Sequence, residues 1–185
     1  VVTRRSLERP LELYRFCVNL ATRGGVRLNP VLLYDDHAPG AEGLSVTVDE
    51  WVEFLGAILP TWWEERQRWP DVEPFATLVR NLYEGGRTLG CVESGACALS
   101  HFNVAPDGAL SQCGRSSDWG LLAQGTIFDR SFAEVLLDPQ RTELLARTER
   151  LAAGECRGCP CWEVCHGGCP LDGWAAHGDL QRKTG

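Results

Sequence analysis

The sequence predicts an α/β fold that passes into a small cysteine-rich module of mixed α and β structure. Residues 1–86 alternate helix-like and strand-like segments, as in a parallel sheet or a barrel. Residues 87–185 are rich in Gly and contain eight of the nine cysteines. Within them, Pro106-Asp107-Gly108 separates two short strand-like runs and so predicts a β-hairpin. We therefore expect two domains, 1–86 and 87–185.

Three helices are predicted in the first domain. Pro10 suits the first turn of a helix that Gly24-Gly25 ends. Thr47 and Glu50 form a capping box ahead of a second helix, which Pro60 ends or kinks. The third helix carries an apolar stripe formed by Phe75, Leu78, Val79 and Leu82.

The strand signals are weaker. Val26 to Tyr34 is a strand-like run, and about two βα units fit in this length, too few to close a barrel. In the second domain, Leu121 to Phe128 predicts another strand. Ser131 and Glu134 form a second capping box, and Asp138-Pro139 starts a further helix.

The composition of the chain excludes some classes of partner. The 18 basic and 25 acidic residues give a net charge of −7, and the longest basic runs are pairs, so neither nucleic acid nor an acidic membrane surface is an expected partner. No apolar stretch is long enough to span a bilayer, and no secretory signal opens the chain. An anaerobic or reducing cytoplasm is the expected location, because exposed thiolates do not survive oxidation well. Because the chain starts with Val1 and contains no Met, we expect an internal fragment, although a protein processed at its N-terminus is an alternative.

The strongest motif is Cys156-x2-Cys159-x5-Cys165-x3-Cys169-Pro170. Such gaps let neighbouring thiolates face one iron–sulfur core, and a run of four followed by Pro resembles the ferredoxin type, whose last Cys ligates the other cluster. An upstream group, Cys91-x5-Cys97-x15-Cys113, has three thiolates and lacks a fourth. The upstream three and the last downstream cysteine complete one site of four. The remaining three need a further ligand, which could follow Gly185.

Together with Cys97-x10-Gly108-x4-Cys113, this pattern resembles the SPASM domain of radical S-adenosylmethionine (SAM) enzymes, a family that includes anaerobic sulfatase maturases and peptide maturases. The resemblance implies that 1–86 is the C-terminal part of the TIM-like radical SAM barrel and that 87–185 is a SPASM domain. It implies auxiliary [4Fe–4S] cluster I on Cys91, Cys97, Cys113 and Cys169. It implies auxiliary cluster II on Cys156, Cys159, Cys165 and one further Cys.

The resemblance also implies a function. The intact parent would use S-adenosyl-L-methionine and a third [4Fe–4S] cluster to modify a peptide or protein, with a reductant such as flavodoxin or ferredoxin. The Cys-x3-Cys-x2-Cys motif of the radical cluster does not occur in this sequence, so enzymatic activity is expected of the parent and the catalytic residues stay unknown. Gly114 stands where sulfatase maturases usually carry Asp, which favours a peptide maturase of another kind.

Four residues are candidates for substrate binding. Tyr34, Asp35 and His37 follow the predicted strand, where barrel enzymes place binding groups, and Arg115 follows the third upstream cysteine. Ordinary polar loops are the alternative at these positions. Of the two cysteines outside the motif, Cys17 is expected to be a buried apolar residue and Cys161 a spare thiol near a cluster.

Two other functions remain open. A zinc-stabilised peptide-binding module would use the same eight-ligand count without redox chemistry. A degenerate SPASM partner would bind a leader peptide after losing its radical domain. Disulfides are disfavoured by the odd, clustered cysteines and the missing secretion signal.

Overall fold

The computed structural model describes residues 1–21, 24–31, 43–69, 71–84 and 91–184. The chain forms two compact units, Val1–Val79 and Arg80–Gly185. Both helices and strands occur in each unit, so the mixed α/β class expected from the sequence is confirmed. In the described part of the chain, no helix is both long and apolar enough to cross a membrane.

The first unit combines helices with a short parallel strand pair. Its helices are α1 (Pro10–Leu20), α2 (Val48–Glu65) and the start of α3 (Phe75–Glu84). Strands β1 (Val26–Arg27) and β2 (Val72–Glu73) pair in parallel. The capping box at the start of α2 is present, since Thr47 accepts from the Glu50 amide and Glu50 accepts from the Thr47 amide. Pro60 lies inside α2, so this helix continues past it.

The strand predicted from Val26 to Tyr34 is wrong in its extent. Regular pairing covers Val26–Arg27, and Pro30 makes only an isolated bridge with Val2. The physical reason is that proline has no N–H to donate to a ladder. Residues 32–34 lie outside the described residues.

Helices α1 and α2 pack against the strand pair and form the core of the first unit. Trp62 is its largest buried side chain, stacks on Phe75 with ring centroids 5.2 Å apart, and donates from Nε1 to the Trp69 carbonyl at 3.0 Å. The other buried members of this core are Val2, Tyr14, Val18, Leu28, Phe54, Ile58 and Val72.

The second unit contains a three-stranded antiparallel sheet. Its strands are β3 (Asn103–Val104), β4 (Ala109–Ser111) and β5 (Ala123–Thr126), in that spatial order. Val104 pairs with Leu110 across the turn that contains Pro106-Asp107-Gly108. The helices that follow α3 are α4 (Cys97–Ser100), α5 (Gly114–Asp118), α6 (Phe132–Leu136), α7 (Pro139–Ala153), α8 (Trp162–Cys165) and α9 (Pro170–His177).

Helix α7 is the scaffold of this unit. Asp138 caps it by accepting from the Gln140 amide at 2.9 Å, and Pro139 occupies its first position, as predicted. Its buried face carries Leu144 and Leu151 and, unexpectedly for a helix interior face, two arginines, Arg141 and Arg147. Both arginines donate hydrogen bonds to segments that carry cysteines, so α7 helps to hold those cysteines in position.

Candidate metal centre

Four cysteines from four separate chain segments line one pocket of the second unit. The volume of the pocket is about 590 Å³, including the part that is open to solvent. Its cysteines precede or begin short helical elements, which turns each thiol toward the shared space. They are Cys91 before the 3-10 helix Val92–Ser94, Cys97 at the start of α4, Cys113 before α5 and Cys169 before α9.

Local hydrogen bonds hold these segments in place. The Cys113 sulfur accepts from the Ser116 amide at 3.5 Å, and the Ser116 hydroxyl accepts from the Cys113 amide at 3.0 Å. Gln112 donates to the carbonyls of Cys97 and His101 at 3.0 and 2.9 Å, which ties α4 to the chain that leads to Cys113. A thiolate at a helix N-terminus is stabilised by the free amides there.

The pocket is unfavourable for thiolates that have no cation to bind. Burial raises the pKa of the Cys97 thiol to about 12, with further increases from the other three cysteines of the pocket. Burial, followed by the charge of Asp172, raises the pKa of Cys169 to about 11. The walls between the cysteines are apolar and include Leu122, Leu144 and Leu171. Four thiolates here need compensating positive charge, which a metal centre would supply, so the donor set fits a metal cluster.

Two arginines add positive charge beside the pocket. Arg115 donates to the Cys169 sulfur at 3.7 Å and forms an ion pair with Asp172 at 2.6 Å. Arg147 lines the pocket, is 2% exposed, and opposes the rise in the pKa of Cys97. Its Nη atoms donate to three carbonyls, whereas its Nε has no hydrogen-bond partner among the described residues.

The other three predicted ligands form a second group. Cys156 is buried, whereas Cys159 and Cys165 are exposed. Burial raises the pKa of Cys156, and the charges of Cys165 and Cys159 raise it further, which reflects their proximity. The Cys159 amide donates to the Cys156 carbonyl at 3.0 Å, so these two thiols share one tight turn.

The spacing of the cysteines bears on the kind of metal. Among the described residues, no three Cys, His, Asp or Glu side chains converge as ligands of a single ion would. A zinc ion requires its four ligands about 2.0–2.3 Å from one centre. A cubane cluster asks for a wider arrangement, because each of its four thiolates binds a different iron.

The candidate substrate-binding residues and the two cysteines outside the motif lie at separate places in the chain. Arg115 lies beside Cys169, whereas Tyr34, Asp35 and His37 fall outside the described residues. Cys161 is exposed at the start of α8. Cys17 lies on α1 in the first unit and is half-buried rather than buried.

Sequence reasoning missed three charged residues of the site. Arg141 and Arg147 occupy interior positions of α7, and Asp172 pairs with Arg115. The sequence does contain a signal for the two arginines. Positions 141, 144, 147, 148 and 151 form one helical stripe, so two arginines stand where apolar side chains are expected. A charge in a core stripe indicates a buried polar partner.

No protein-family model matches the chain, and no curated protein matches its sequence. Solved structures do match. Native anSMEcpe with bound AdoMet and Cp18Cys peptide is 19% identical, with a TM-score of 0.72 over 99% of this chain and 50% of that chain. Native anSMEcpe with bound AdoMet is 20% identical, with a TM-score of 0.71 over 99% of this chain and 49% of that chain.

These matches define the class of fold. The abbreviation anSME denotes an anaerobic sulfatase-maturating enzyme, and this chain shares the fold of that radical SAM/SPASM enzyme along almost its whole length. The resemblance predicted from the cysteine motif is thereby confirmed at the level of the fold. The chain spans about half the length of the solved structures that it matches.

Proposed function

We propose that this chain forms the C-terminal part, bearing the auxiliary clusters, of a radical SAM/SPASM maturase that modifies a peptide or protein. The observation that carries the proposal is the pocket lined by Cys91, Cys97, Cys113 and Cys169. Four cysteines that lie up to 78 residues apart in sequence meet there, in a chain with the fold of anSMEcpe. Apolar walls, and cysteines whose thiolate forms repel one another, are what a protein presents to a cluster that it binds through Cys ligands.

The proposed ligands fall into two sets. Cys91, Cys97, Cys113 and Cys169 bind auxiliary [4Fe–4S] cluster I. Cys156, Cys159 and Cys165 bind auxiliary cluster II, for which we propose a fourth cysteine that follows Gly185. When bound, such clusters supply one-electron redox chemistry. The protein's own contribution is to hold the thiolates, to exclude water with Leu144 and Leu171, and to offset negative charge with arginine.

The remaining parts of the proposal concern the parent protein. We assign 1–86 to the end of its radical SAM barrel and 87–185 to its SPASM domain. S-adenosyl-L-methionine and a third [4Fe–4S] cluster would be bound elsewhere in the parent, with flavodoxin or ferredoxin as reductant. A peptide substrate is supported by the structure of native anSMEcpe with bound AdoMet and Cp18Cys peptide.

Anaerobic metal analysis tests the proposal. After reconstitution with iron and sulfide, we expect a brown chain that holds about four irons in the first site. The second site is one proposed ligand short in this chain, so we expect it to fill when the cysteine proposed to follow Gly185 is included. Cys97→Ala should remove the iron of the first site, whereas Cys17→Ala, which changes a cysteine of the first unit, should remove none. A colourless chain that binds two zinc ions instead would show a zinc-stabilised module and overturn the proposal.

The parent's sequence gives a second test. A Cys-x3-Cys-x2-Cys motif upstream of Val1 is expected in a radical maturase. Its absence, in a parent whose SPASM domain still binds iron, would indicate the degenerate partner that binds a leader peptide.

A further inference from the structure

The buried side chain of Arg147 connects the two groups of cysteines. Its Nη1 donates to the Gly168 carbonyl at 2.9 Å, and its Nη2 donates to the carbonyls of Gly167 and Arg182 at 2.9 and 2.7 Å. Gly167 and Gly168 form the turn between Cys165, in the second group, and Cys169, in the first. The guanidinium therefore holds the segment that joins the two proposed sites.

The positive charge of Arg147 also acts on cysteines of both groups. It interacts with Cys97 and Cys169 of the first group and with Cys156 and Cys165 of the second. The side chain is 2% exposed and has no carboxylate partner among the described residues. A buried cation needs compensating negative charge. Cysteines of both groups would supply that charge as thiolates.

We propose that Arg147 is a positioning residue shared by both cysteine sites, whose fixed charge raises the reduction potential of each cluster while its guanidinium holds the turn between them. This inference rests on the proposed function. A [4Fe–4S] cluster with four thiolates is an anion that gains a further negative charge on reduction. A nearby buried cation stabilises the reduced form more than the oxidised form, because Coulomb energy scales with charge and is weakly screened in the interior. Arginine keeps its charge at every working pH.

Arg141 provides a matched control on the same helix. It is 1% exposed and donates to the Ala98 carbonyl, to the His101 carbonyl at 3.1 Å and to Gln112 Oε1 at 3.0 Å. The charges that act on it come from Cys97, in the first group, and from Asp138, which caps the same helix. Its charge therefore serves the first site, whereas that of Arg147 serves both.

Redox titration of the reconstituted chain, extended to include the cysteine proposed to follow Gly185, tests the inference. Cys159→Ala leaves the first cluster for measurement, and Cys113→Ala leaves the second. In each background we expect Arg147→Met to shift the midpoint potential to a more negative value, whereas Arg141→Met should shift the first cluster alone. Arg147→Lys keeps the charge and loses the three-carbonyl contact, so both potentials should stay near those of the unchanged protein while the thermal transition falls.

Each outcome decides between the alternatives. An unchanged potential of either cluster in Arg147→Met, with iron content preserved, would overturn the inference. Arg147→Met and Arg147→Gln could both lose iron, and Arg147→Lys then decides the outcome. Iron retained in Arg147→Lys would support a need for positive charge at this position. Iron lost from Arg147→Lys to the same degree would overturn the inference. A chain without iron before any substitution would instead refute the proposed function.

Discussion

The guanidinium of Arg115 forms an ion pair with Asp172 at 2.6 Å, beside the proposed first cluster. Arg115 follows Cys113 by two residues, and Asp172 lies in the first turn of α9, which begins after Cys169. The pair therefore links the helices that follow two of the four pocket cysteines. The other terminal nitrogen of Arg115, Nη1, donates to the Cys169 sulfur at 3.7 Å, so Asp172 and the Cys169 thiol share one arginine.

Substitution of Asp172 should separate the electrostatic role of this pair from its structural role. Asp172→Asn removes a negative charge next to Cys169, so the potential of the first cluster should become less negative. Because both partners are partly exposed, we expect a loss of unfolding free energy of about 1 kcal/mol. Redox titration and chemical denaturation measure the two effects. An unchanged potential would contradict the position of Asp172 beside the first cluster.

Removal of iron should lower the thermal stability of the reconstituted chain. A ligand that binds the folded state alone stabilises it, and metal ligation by cysteines in particular couples to folding. Calorimetry before and after anaerobic chelation measures the difference. The double variant Cys97→Ala, Cys113→Ala is the control, because it lacks two of the four proposed ligands of the first site and should show a smaller loss.

Local sequence signals predicted the longer helices. Thr47 with Glu50, and Asp138 with Pro139, mark helix starts that the structure contains, because a cap depends on residues a few positions apart. The short helix α4 has no side-chain cap and depends on tertiary contacts, such as the hydrogen bond from the Gln112 side chain to the Cys97 carbonyl. Helix α5 does have a capping box, but Cys113 forms it with Ser116, and cysteine is not one of the residues that usually mark a helix start.

The site was predictable in part. Spacing and resemblance named seven cysteines, and the structure brings four of them to one pocket, although their role as ligands stays a prediction. The charges around them were not predicted. Arg147 reaches Arg182, 35 residues away, and Asp172 pairs with Arg115 across 57 residues, so neither contact has a local signature.

A pH dependence is expected from the first unit. Burial, together with the nearby Glu65 carboxylate, raises the pKa of Tyr14 to about 12, and its hydroxyl donates to Glu65 at 3.3 Å. Because the folded state holds this proton more tightly than the unfolded chain, the stabilisation is complete below about pH 10 and is lost as the pH rises toward 12. Denaturation measured from pH 8 to 12 should show the loss. Tyr14→Phe, which has no proton to lose, should flatten the curve, and an equally steep fall in this variant would contradict the assignment.

Gly167 is expected to be intolerant of any side chain. It has a φ of 86°, and a Cβ there would overlap the Leu151 side chain on α7. Gly167→Ala should therefore combine a backbone cost of about 1–2 kcal/mol with an overpacking cost of about 1–3 kcal/mol. It should also displace the turn between Cys165 and Cys169, so reconstituted iron should fall along with the unfolding free energy.

Gly158 supplies the matched control for this substitution. Its φ is 73° and a Cβ there meets no atom within 4 Å, so Gly158→Ala carries the backbone cost without the overlap. It also lies between Cys156 and Cys159, within the second group. If contact with α7 holds the turn in place, Gly167→Ala must lose more unfolding free energy than Gly158→Ala and must lose iron from the first site. Equal losses in the two variants would show that the backbone conformation alone matters, and that the contact of Gly167 with Leu151 does not position the cysteines.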